Sequence, residues 1–198
     1  MATTKAKIIT FVNNATKKAF STTGTDIDVQ IQSVLNELST KELLVGTDTD
    51  QSLEADDEYL EYPTDYKRLI SIVLNDGSVD GEPLEAIPGG WDEYLEWMAG
   101  AVSTSEPEWF TEHNSRFYLW RPANGDYDAS IEFFKKHPED LETILFGDEF
   151  SDCINAGSVY KVALRYGLSR YIDIWRPEYG RLLQERIDNA PCYPTIVQ

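Results

Sequence analysis

The stretch Glu108–His137, which reads EWFTEHNSRFYLWRPANGDYDASIEFFKKH, decides the fold. Aromatic and β-branched residues fill three short runs within it, and such residues suit a pleated, half-buried surface. The runs are separated by His-Asn-Ser and by Asn124-Gly125, which are turn signals. The stretch therefore predicts a meander of three antiparallel strands joined by tight turns.

Successive side chains of a strand point to opposite faces of a sheet. Phe117 and Leu119 are therefore expected on a core face, and Tyr118 and Trp120 on the other face. Exposed Trp and Tyr rings suit stacking on sugars, so carbohydrate binding is one interpretation of that second face. The interpretation that we favour is packing against a neighbouring subunit or helix.

Further strands and a helix are predicted before the meander. The polar segment Gly46–Asp57 is interpreted as an exposed loop that enters a strand. The residues of Leu69–Leu74 indicate a buried strand, and those of Leu84–Ile87 a short one. A short helix is predicted near residues 91–99 and is expected to lie against the meander. Its apolar face comprises Trp91, Tyr94, Leu95 and Met98.

Helical periodicity marks the N-terminal part of the chain. Lys5–Phe20 predicts an amphipathic helix, and Thr25 can cap a second one. The apolar stripe of the second helix comprises Ile27, Ile31, Val34, Leu35 and Leu38. Two helices joined by a short loop need a further partner to bury these stripes.

The C-terminal part supplies such partners. Leu141–Leu145 is predicted to be helical, and Gly147–Gly157 to be a loop or a broken helix. Ser158 is expected to cap a longer helix that is apolar over a wide arc and therefore largely buried. Trp175-Arg176-Pro177 is expected to interrupt it, with the proline in the first turn of a last helix.

These elements predict an α+β fold, in which the N- and C-terminal helices form a bundle and an antiparallel β-rich lobe is inserted between them. The bundle is assigned to residues 1–45 and 139–190, and the lobe to residues 46–138. Residues 191–198 contain two prolines and are predicted to form an extended C-terminal tail.

The composition limits the classes of function. The 198 residues carry a formal net charge of −18, which argues against a protein that grips nucleic acid, because phosphate binding depends on Lys and Arg. A protein that surrounds nucleic acid without holding it remains compatible with this charge. No signal-peptide pattern and no apolar run of membrane-helix length is present, so folding in a cytoplasm is expected. Cys153 and Cys192 are expected to be free thiols.

The sequence contains no recognisable catalytic motif. The two histidines, His113 and His137, leave little room for nucleophilic catalysis or a zinc site, and both are predicted to lie at the surface. Asp48-Thr49-Asp50 lacks the glycine and glutamate of a calcium loop, so a solvated loop is preferred. A lysozyme-type hydrolase stays open, but 35 acidic residues make carboxylate pairs uninformative. No enzyme activity, metal or cofactor is therefore predicted.

Several segments resemble a known family. Tyr62–Arg68 reads YPTDYKR and precedes the Ile/Val-rich strand. It resembles a segment of the tailed-phage head-to-tail connector proteins, also called adaptors, in which a proline and an aspartate stand between aromatic residues. Phe117–Pro122, Tyr127–Pro138 and the helix Tyr160–Tyr171 are similar to the same family. The resemblance covers most of the chain, from the N-terminal helix pair to the final helix.

The resemblance implies a structural protein of the virion neck, without catalytic residues or cofactors. Such a protein is synthesised in the host cytoplasm and assembles with itself into a dodecameric ring beneath the portal protein. It would plug onto the portal after packaging and present a docking surface for the tail or for further neck proteins. Duplex DNA would pass through the lumen without specific binding, because acidic walls repel it. No membrane takes part.

Two candidate surfaces follow from this reading. The apolar tail cannot fold on itself and is a candidate for docking on the portal, with a frayed terminus as the alternative. Its residues are Pro191, Cys192, Tyr193, Pro194, Ile196 and Val197. Trp109, Tyr118 and Trp120 form the candidate lobe surface for the tail or a neighbouring subunit. The alternative function is a carbohydrate-binding or adhesin-type tail component that uses the Trp-rich sheet.

Overall fold

The computed structural model describes residues 3–18, 25–77, 81–100 and 102–191. Within them the chain forms two compact units. The helical unit consists of the described residues of Met1–Leu44 and Lys136–Pro191, and the β unit consists of those of Val45–Lys135. The predicted α+β class is confirmed, with helices from both parts of the chain in one bundle and antiparallel-rich sheets between them in sequence.

The elements follow one another as helices, then mainly strands, then helices again. In chain order they are α1 (Lys5–Thr16), α2 (Thr25–Thr40), β1 (Val45–Leu53), β2 (Tyr59–Glu61), β3 (Tyr66–Asn75), β4 (Glu85–Ala86), α3 (Gly90–Met98), β5 (Trp109–His113), β6 (Arg116–Trp120), β7 (Tyr127–Lys135), α4 (Ser151–Arg165) and α5 (Ser169–Asp188). A 3-10 turn, Asp148–Phe150, leads directly into α4. The helical unit therefore contains α1, α2, α4 and α5.

Within the helical unit, α4 packs against α1, α2 and α5. The predicted stripe of α2 is confirmed, because all five of its residues are buried in the helical core. Ile8 and Val12 of α1 and Val159 and Val162 of α4 belong to the same core. Because short helices are marginal in isolation, this burial is what stabilises them.

The first helix, α1, is shorter than predicted. It begins after Thr4, whose hydroxyl accepts a hydrogen bond from the Lys7 amide at 3.4 Å. It ends at Thr16 because Lys17 adopts the left-handed conformation, with φ of 56°. Phe20, at which the predicted helix ends, lies outside the described residues.

The helix α4 begins at Ser151 and is continuous, so the predictions of a loop or a broken helix up to Gly157 and of a cap at Ser158 are wrong. Gly157 and Ser158 are both buried inside the helix. A Cβ atom added at Gly157 would lie 2.7 Å from Tyr179 Cε2 and 2.9 Å from Val34 Cγ1. The glycine therefore marks a close approach of α2 and α5 to α4 and not a helix break.

Leu141–Leu145 is not helical, contrary to the prediction. Asp140 Oδ1 accepts a hydrogen bond from the Glu142 amide at 3.1 Å, and His137 Nε2 accepts one from the Leu145 amide at 3.2 Å. These two side chains offer the backbone an alternative to helical hydrogen bonds. The segment still buries Leu141 in the helical core.

Pro177 lies inside α5, which is one continuous helix and not the interrupted pair that the sequence predicts. The apolar stripe continues past the proline, because Trp175, Tyr179 and Leu182 all pack in the helical core. Pro177 itself is exposed, on a side of the helix where water can replace the hydrogen bond that a proline removes.

The turn between α4 and α5 is less buried than predicted. Gly167, with φ of 63°, ends α4, and the Leu168 amide donates a hydrogen bond to the Ala163 carbonyl at 2.9 Å. Leu164 is 46% exposed and Tyr166 is 39% exposed. Of the wide apolar arc predicted for this region, only Val159, Val162 and Ala163 are buried, and the apolar residues after Ala163 are half-buried or exposed.

The described part of the β unit contains two sheets. The first has the strand order β1-β7-β3 and is antiparallel throughout. The second has the order β2-β6-β5-β4, in which β4 pairs with β5 in the parallel sense. Residues of both sheets share one core, which includes Leu53, Ile72, Phe110, Phe117 and Ile131.

The first two strands of the predicted meander form a hairpin, but the third does not join them. The turn residues Asn114 and Ser115 both have positive φ, as a type I′ hairpin turn requires. The third predicted strand, β7, is the central strand of the other sheet, between β1 and β3. The prediction of a three-stranded meander is therefore wrong.

The chain leaves the second sheet after Trp120. Pro122 has no N–H to donate to a ladder, and the Ala123 amide donates to the Asp57 carbonyl at 3.0 Å. Asn124 Oδ1 accepts a hydrogen bond from the Tyr127 hydroxyl at 2.7 Å. Asn124-Gly125 therefore belongs to a connection between sheets, and its prediction as a hairpin turn is wrong.

The strand β1 occupies most of the segment predicted as an exposed loop, so that prediction is wrong. It forms an edge of the first sheet, with a register shift between Asp48 and Gln51. At the shift, the Asp48 carboxylate accepts hydrogen bonds from the Asp50 amide and from Gln51 Nε2. Polar side chains are compatible with an edge strand because part of it faces solvent.

The strand predicted at Leu69–Leu74 is confirmed within β3. The helix α3 packs on β5 and β6, as predicted. Tyr94 of α3 is buried, but Leu95 is exposed, so the predicted apolar face is only partly correct. Trp97 contacts the sheet instead.

Candidate functional site

Two of the groups considered for reactivity or metal binding, Cys153 and Asp48, have structural surroundings. Among the residues that the structure describes, no cluster of three or more His, Cys, Asp or Glu could hold a metal ion. Cys153 is buried, and burial raises the pKa of its thiol to about 12, which keeps the thiol protonated and weakly reactive. The Asp48 carboxylate accepts hydrogen bonds from its own strand, at the register shift of β1.

The two histidines have structural surroundings. His113 is half-buried and stacks on Trp91, with 3.9 Å between the ring centroids. His137 is only 3% exposed, so its prediction as a surface residue is wrong. Its Nδ1 lies 2.8 Å from the Pro138 carbonyl, and its amide donates to Ser39 Oγ at 3.1 Å. A buried imidazole that bonds the backbone in this way organises the segment after β7.

The structure brings Trp109, Tyr118 and Trp120 together on one face of the second sheet. Trp109 stands directly opposite Trp120 in the register of β5 and β6. Phe117 and Leu119 on the opposite face are completely buried, so the predicted alternation is confirmed. The three aromatic side chains are half-buried and not fully exposed.

The reason for this partial burial is α3. The Trp97 ring packs edge-on to Trp120 and to Trp109, with centroid distances of 4.8 and 5.9 Å. Trp91 packs against Tyr118 at 4.9 Å. The sheet face therefore packs partly against a helix of its own chain, which is one of the two partners that the sequence pattern predicts.

A pocket lies beside Trp109, at the edge of this aromatic face. We call it the Trp109 pocket; it has a volume of about 360 Å³. Four exposed glutamates and the half-buried indole line it, together with Leu74, Pro83, Leu84 and Pro107. The glutamates are Glu82, Glu85, Glu106 and Glu108. Sequence reasoning missed this pocket because the parallel pairing of β4 with β5, which brings its two walls together, leaves no local pattern.

A half-buried hydrogen bond supports the same sheet from its core side. The Tyr62 hydroxyl donates a hydrogen bond to Glu112 Oε2 at 2.7 Å. Burial and the Glu112 carboxylate raise the pKa of Tyr62 and of Tyr66. Both tyrosines pack against Phe117. Glu112 therefore helps to hold Tyr62 in place against the sheet.

The negative charge of the chain is concentrated in the β unit. Val45–Lys135 contains 21 Asp and Glu against 5 Lys and Arg, which gives a net charge of −16. Met1–Leu44 and Lys136–Pro191 together contain 14 acidic and 12 basic residues, which gives −2. Nearly all of the net charge of −18 therefore lies in the β unit.

The helical unit has a locally basic end, which we define by Lys17, Lys18, Arg165, Tyr166 and Arg170. All five residues are exposed. Lys18 Nζ lies 5.9 Å from the centre of the Tyr166 ring, so the end of α1 and the end of α4 lie side by side. At the other end of the same two helices, the Thr3 and Ser151 hydroxyls contact each other.

The predicted portal-docking tail is described only at its first residue. Pro191 is exposed. Cys192, Tyr193, Pro194, Ile196 and Val197 lie outside the described residues. None of the described helices combines the length and the apolar composition that crossing a membrane requires.

Comparison with known proteins identifies the family. Residues 2–189 match the model of the SU10 adaptor protein family. A comparison with curated proteins gives no significant match. Because the family model spans nearly the whole chain, the resemblance to phage adaptors drawn from the sequence is confirmed. The chain therefore belongs to the SU10 adaptor protein family, a family of phage head–tail adaptors.

Proposed function

We propose that this chain is a structural, non-catalytic component of the phage neck that joins the portal vertex of the head to the tail. Copies of the chain form a ring, with twelve members, around the channel through which DNA leaves. The observation that carries this proposal is the match to the adaptor family over residues 2–189. The structural roles of His137 and Cys153 are consistent with a function that does not depend on catalysis.

The charge distribution supports the proposed ring around the DNA channel. A unit with a net charge of −16 repels duplex DNA, whose backbone carries about one negative charge per 1.7 Å of axis. Acidic residues of the β unit that face the lumen keep the DNA from adhering to the wall. The conduit then allows DNA to slide, because it offers few cations for phosphates to bind.

The ring presents two surfaces to its partners under this proposal. The apolar tail, residues 191–198, docks on the portal protein. The face with Trp109, Tyr118 and Trp120 contacts tail or further neck proteins or the next copy, through the parts that α3 leaves open. Carbohydrate binding by this face is less well supported, because Trp97 packs against both tryptophans on which a sugar would stack.

Electron microscopy tests the proposal. The purified chain is imaged alone and after mixing with the portal protein of the same phage. We expect rings or collars bound to one end of the portal particles. Portal particles that show no added density in the presence of excess chain would refute the proposal.

The docking role of the tail has its own test. A chain that lacks residues 191–198 is compared with the full chain in binding to immobilised portal protein. We expect weaker binding of the shortened chain while its circular dichroism spectrum stays unchanged. Equal affinities of the two chains would exclude the tail as a docking element.

A further inference from the structure

The basic end of the helical unit carries features that the stability of the fold does not require. Lys17 and Arg165 lie at the carboxyl ends of α1 and α4, where positive charge is favourable next to the helix dipole. Arg170 lies in the first turn of α5, where the dipole of α5 disfavours a cation. Helix stability therefore does not explain the position of Arg170.

Exposed apolar surface accompanies these cations. Leu164 is 46% exposed and Tyr166 is 39% exposed, beside Arg165 and Lys18. Exposed Tyr and Arg side chains are enriched at protein interfaces, and here Tyr166 and Arg165 lie next to the exposed Leu164. The partner of such a surface should be acidic and should offer apolar or aromatic contacts.

The Trp109 pocket of the β unit has this chemistry. Its glutamates Glu82, Glu85, Glu106 and Glu108 are exposed and supply negative charge around a cavity of about 360 Å³. Trp109 supplies an indole wall, against which a guanidinium group can stack. Arg121 already packs on the neighbouring Trp120 at 4.9 Å, so this region of the sheet accommodates a cation on an indole ring.

We propose that the basic end of one copy docks in the Trp109 pocket of the next copy. The inference rests on the proposed ring, and it names the two surfaces that meet between subunits. The two surfaces are complementary in charge, since the cations lie in the unit of net charge −2 and the glutamates lie in the unit of net charge −16. Because the two surfaces differ, the contact is head-to-tail, and a head-to-tail contact closes into a ring when its rotation allows.

Two charge-reversal variants test this contact in the full chain. The basic-end variant carries Arg165→Glu and Arg170→Glu, and the pocket variant carries Glu106→Lys and Glu108→Lys. Lys41→Glu and Asp50→Lys are matched controls, because both residues are exposed and neither belongs to either surface. Asp50 lies on β1, at the opposite edge of the first sheet from β3, which contributes Leu74 to the pocket.

Sedimentation equilibrium at low ionic strength measures self-association of each variant. We expect the wild-type chain to self-associate, and each charge-reversal variant to do so at least about tenfold more weakly, because like charges meet in the contact. The controls should match the wild type. Added salt should weaken the association of the wild type, since the charges are exposed.

Mixing the two variants separates a lost contact from a lost fold. In the mixture, the intact basic end of one variant faces the intact pocket of the other, and the two reversed surfaces are also complementary. We therefore expect association to return to within about threefold of the wild type. The proposal is overturned by a wild-type chain that stays monomeric at its highest soluble concentration, by variants that associate normally, or by a mixture that does not recover.

The outcome is distinguishable from a failure of the proposed function. If rings form on the portal equally well with both charge-reversal variants, the neck function is supported and this contact between copies is excluded. If self-association follows the charge pattern but the chain does not bind the portal, the contact is supported and the proposed neck function is excluded.

Discussion

The two units of this chain differ in their net charge and in the way their cores are packed. The helical unit is nearly neutral and buries its stripes around α4, whereas the β unit carries a net charge of −16 and packs two sheets around an aromatic core. In the helical unit, charge is balanced and locally basic at one end. In the β unit, acidic side chains outnumber basic ones, and their mutual repulsion opposes the packing of the core. Both units are stabilised by a buried apolar core, and they differ in the charge that their surfaces present to partners.

The largest expected effect comes from removing core side chains of one unit at a time. Phe117→Ala should lower the stability of the β unit by about 3–5 kcal/mol, and Ile31→Ala that of the helical unit by about 2–5 kcal/mol, because both side chains are completely buried. Tryptophan fluorescence reports the β unit, which contains four of the five tryptophans, and far-ultraviolet circular dichroism follows the helices.

If the two cores are separate, each variant should shift mainly one of these two signals during urea unfolding. The Phe117→Ala change should move the fluorescence transition, and the Ile31→Ala change the dichroism transition. Equal shifts of both signals in both variants would show that the chain unfolds as one cooperative body and would contradict separate unfolding of the two units.

Two glycines of the helical unit give the next effect. Gly157→Ala should destabilise the unit by about 1–3 kcal/mol, because the new Cβ would collide with Tyr179 and Val34. Gly180→Ala is the matched control, since nothing lies within 4 Å of its added Cβ, and it should stabilise α5 by about 0.5–1 kcal/mol. Urea unfolding followed by circular dichroism measures both. A stabilising Gly157→Ala would contradict the close packing of α2, α4 and α5.

Alkaline pH should weaken the β unit more than the helical unit. Burial raises the pKa of Tyr94 to about 12, and burial with the Glu112 carboxylate raises the pKa of Tyr62 and Tyr66. Burial also raises the pKa of Tyr179 in the helical unit. Tyrosines of the unfolded chain lose their protons near pH 10, so above that pH the unfolded chain binds fewer protons and stability falls.

Each such tyrosine contributes a loss of at most about 1.4 kcal/mol per pH unit between pH 10 and its folded pKa. Tyr94→Phe should therefore reduce the slope of β-unit stability against pH above pH 10 and leave it unchanged near neutrality. Fluorescence-detected urea unfolding between about pH 8 and about pH 11 measures the slope. An unchanged slope in the variant would contradict the burial of this hydroxyl.

The smallest expected effect is that of salt. Repulsion among the acidic side chains of the β unit is screened by added sodium chloride, which should raise its stability by less than about 1 kcal/mol. The helical unit, with a net charge of −2, should respond less. Comparing the fluorescence and dichroism transitions at low and high salt checks this difference. Equal responses of both units would mean that the charge asymmetry has no energetic consequence.

Local patterns predicted the parts of the fold that local contacts determine. The stripe of α2 and the hairpin of β5 and β6 follow from helical spacing and from an Asn-Ser turn, and both are present. The partner of β7 depends on strands more than fifty residues away in sequence, β1 and β3, which no local pattern encodes. The meander prediction failed for that reason.

Packing also overrides residues that usually interrupt helices. Gly157 and Pro177 each predict a break, yet both lie inside long helices, because the apolar stripes of α4 and α5 continue past them. His137 is buried because its imidazole serves the backbone of the following segment. Of the candidate surfaces, sequence alternation placed Tyr118 and Trp120 on one face, whereas the position of Trp109 opposite Trp120 and the Trp109 pocket depend on strand pairing.

The proposed ring around the DNA channel, between portal and tail, can be observed directly. A cryo-electron microscopy reconstruction of the neck of the phage that encodes the chain tests it most directly. We predict a twelve-membered ring of density next to the portal, into which both units fit, with acidic residues of the β unit along the channel. A neck in which this chain fits no density next to the portal, or a channel lined by its basic residues, would contradict the account.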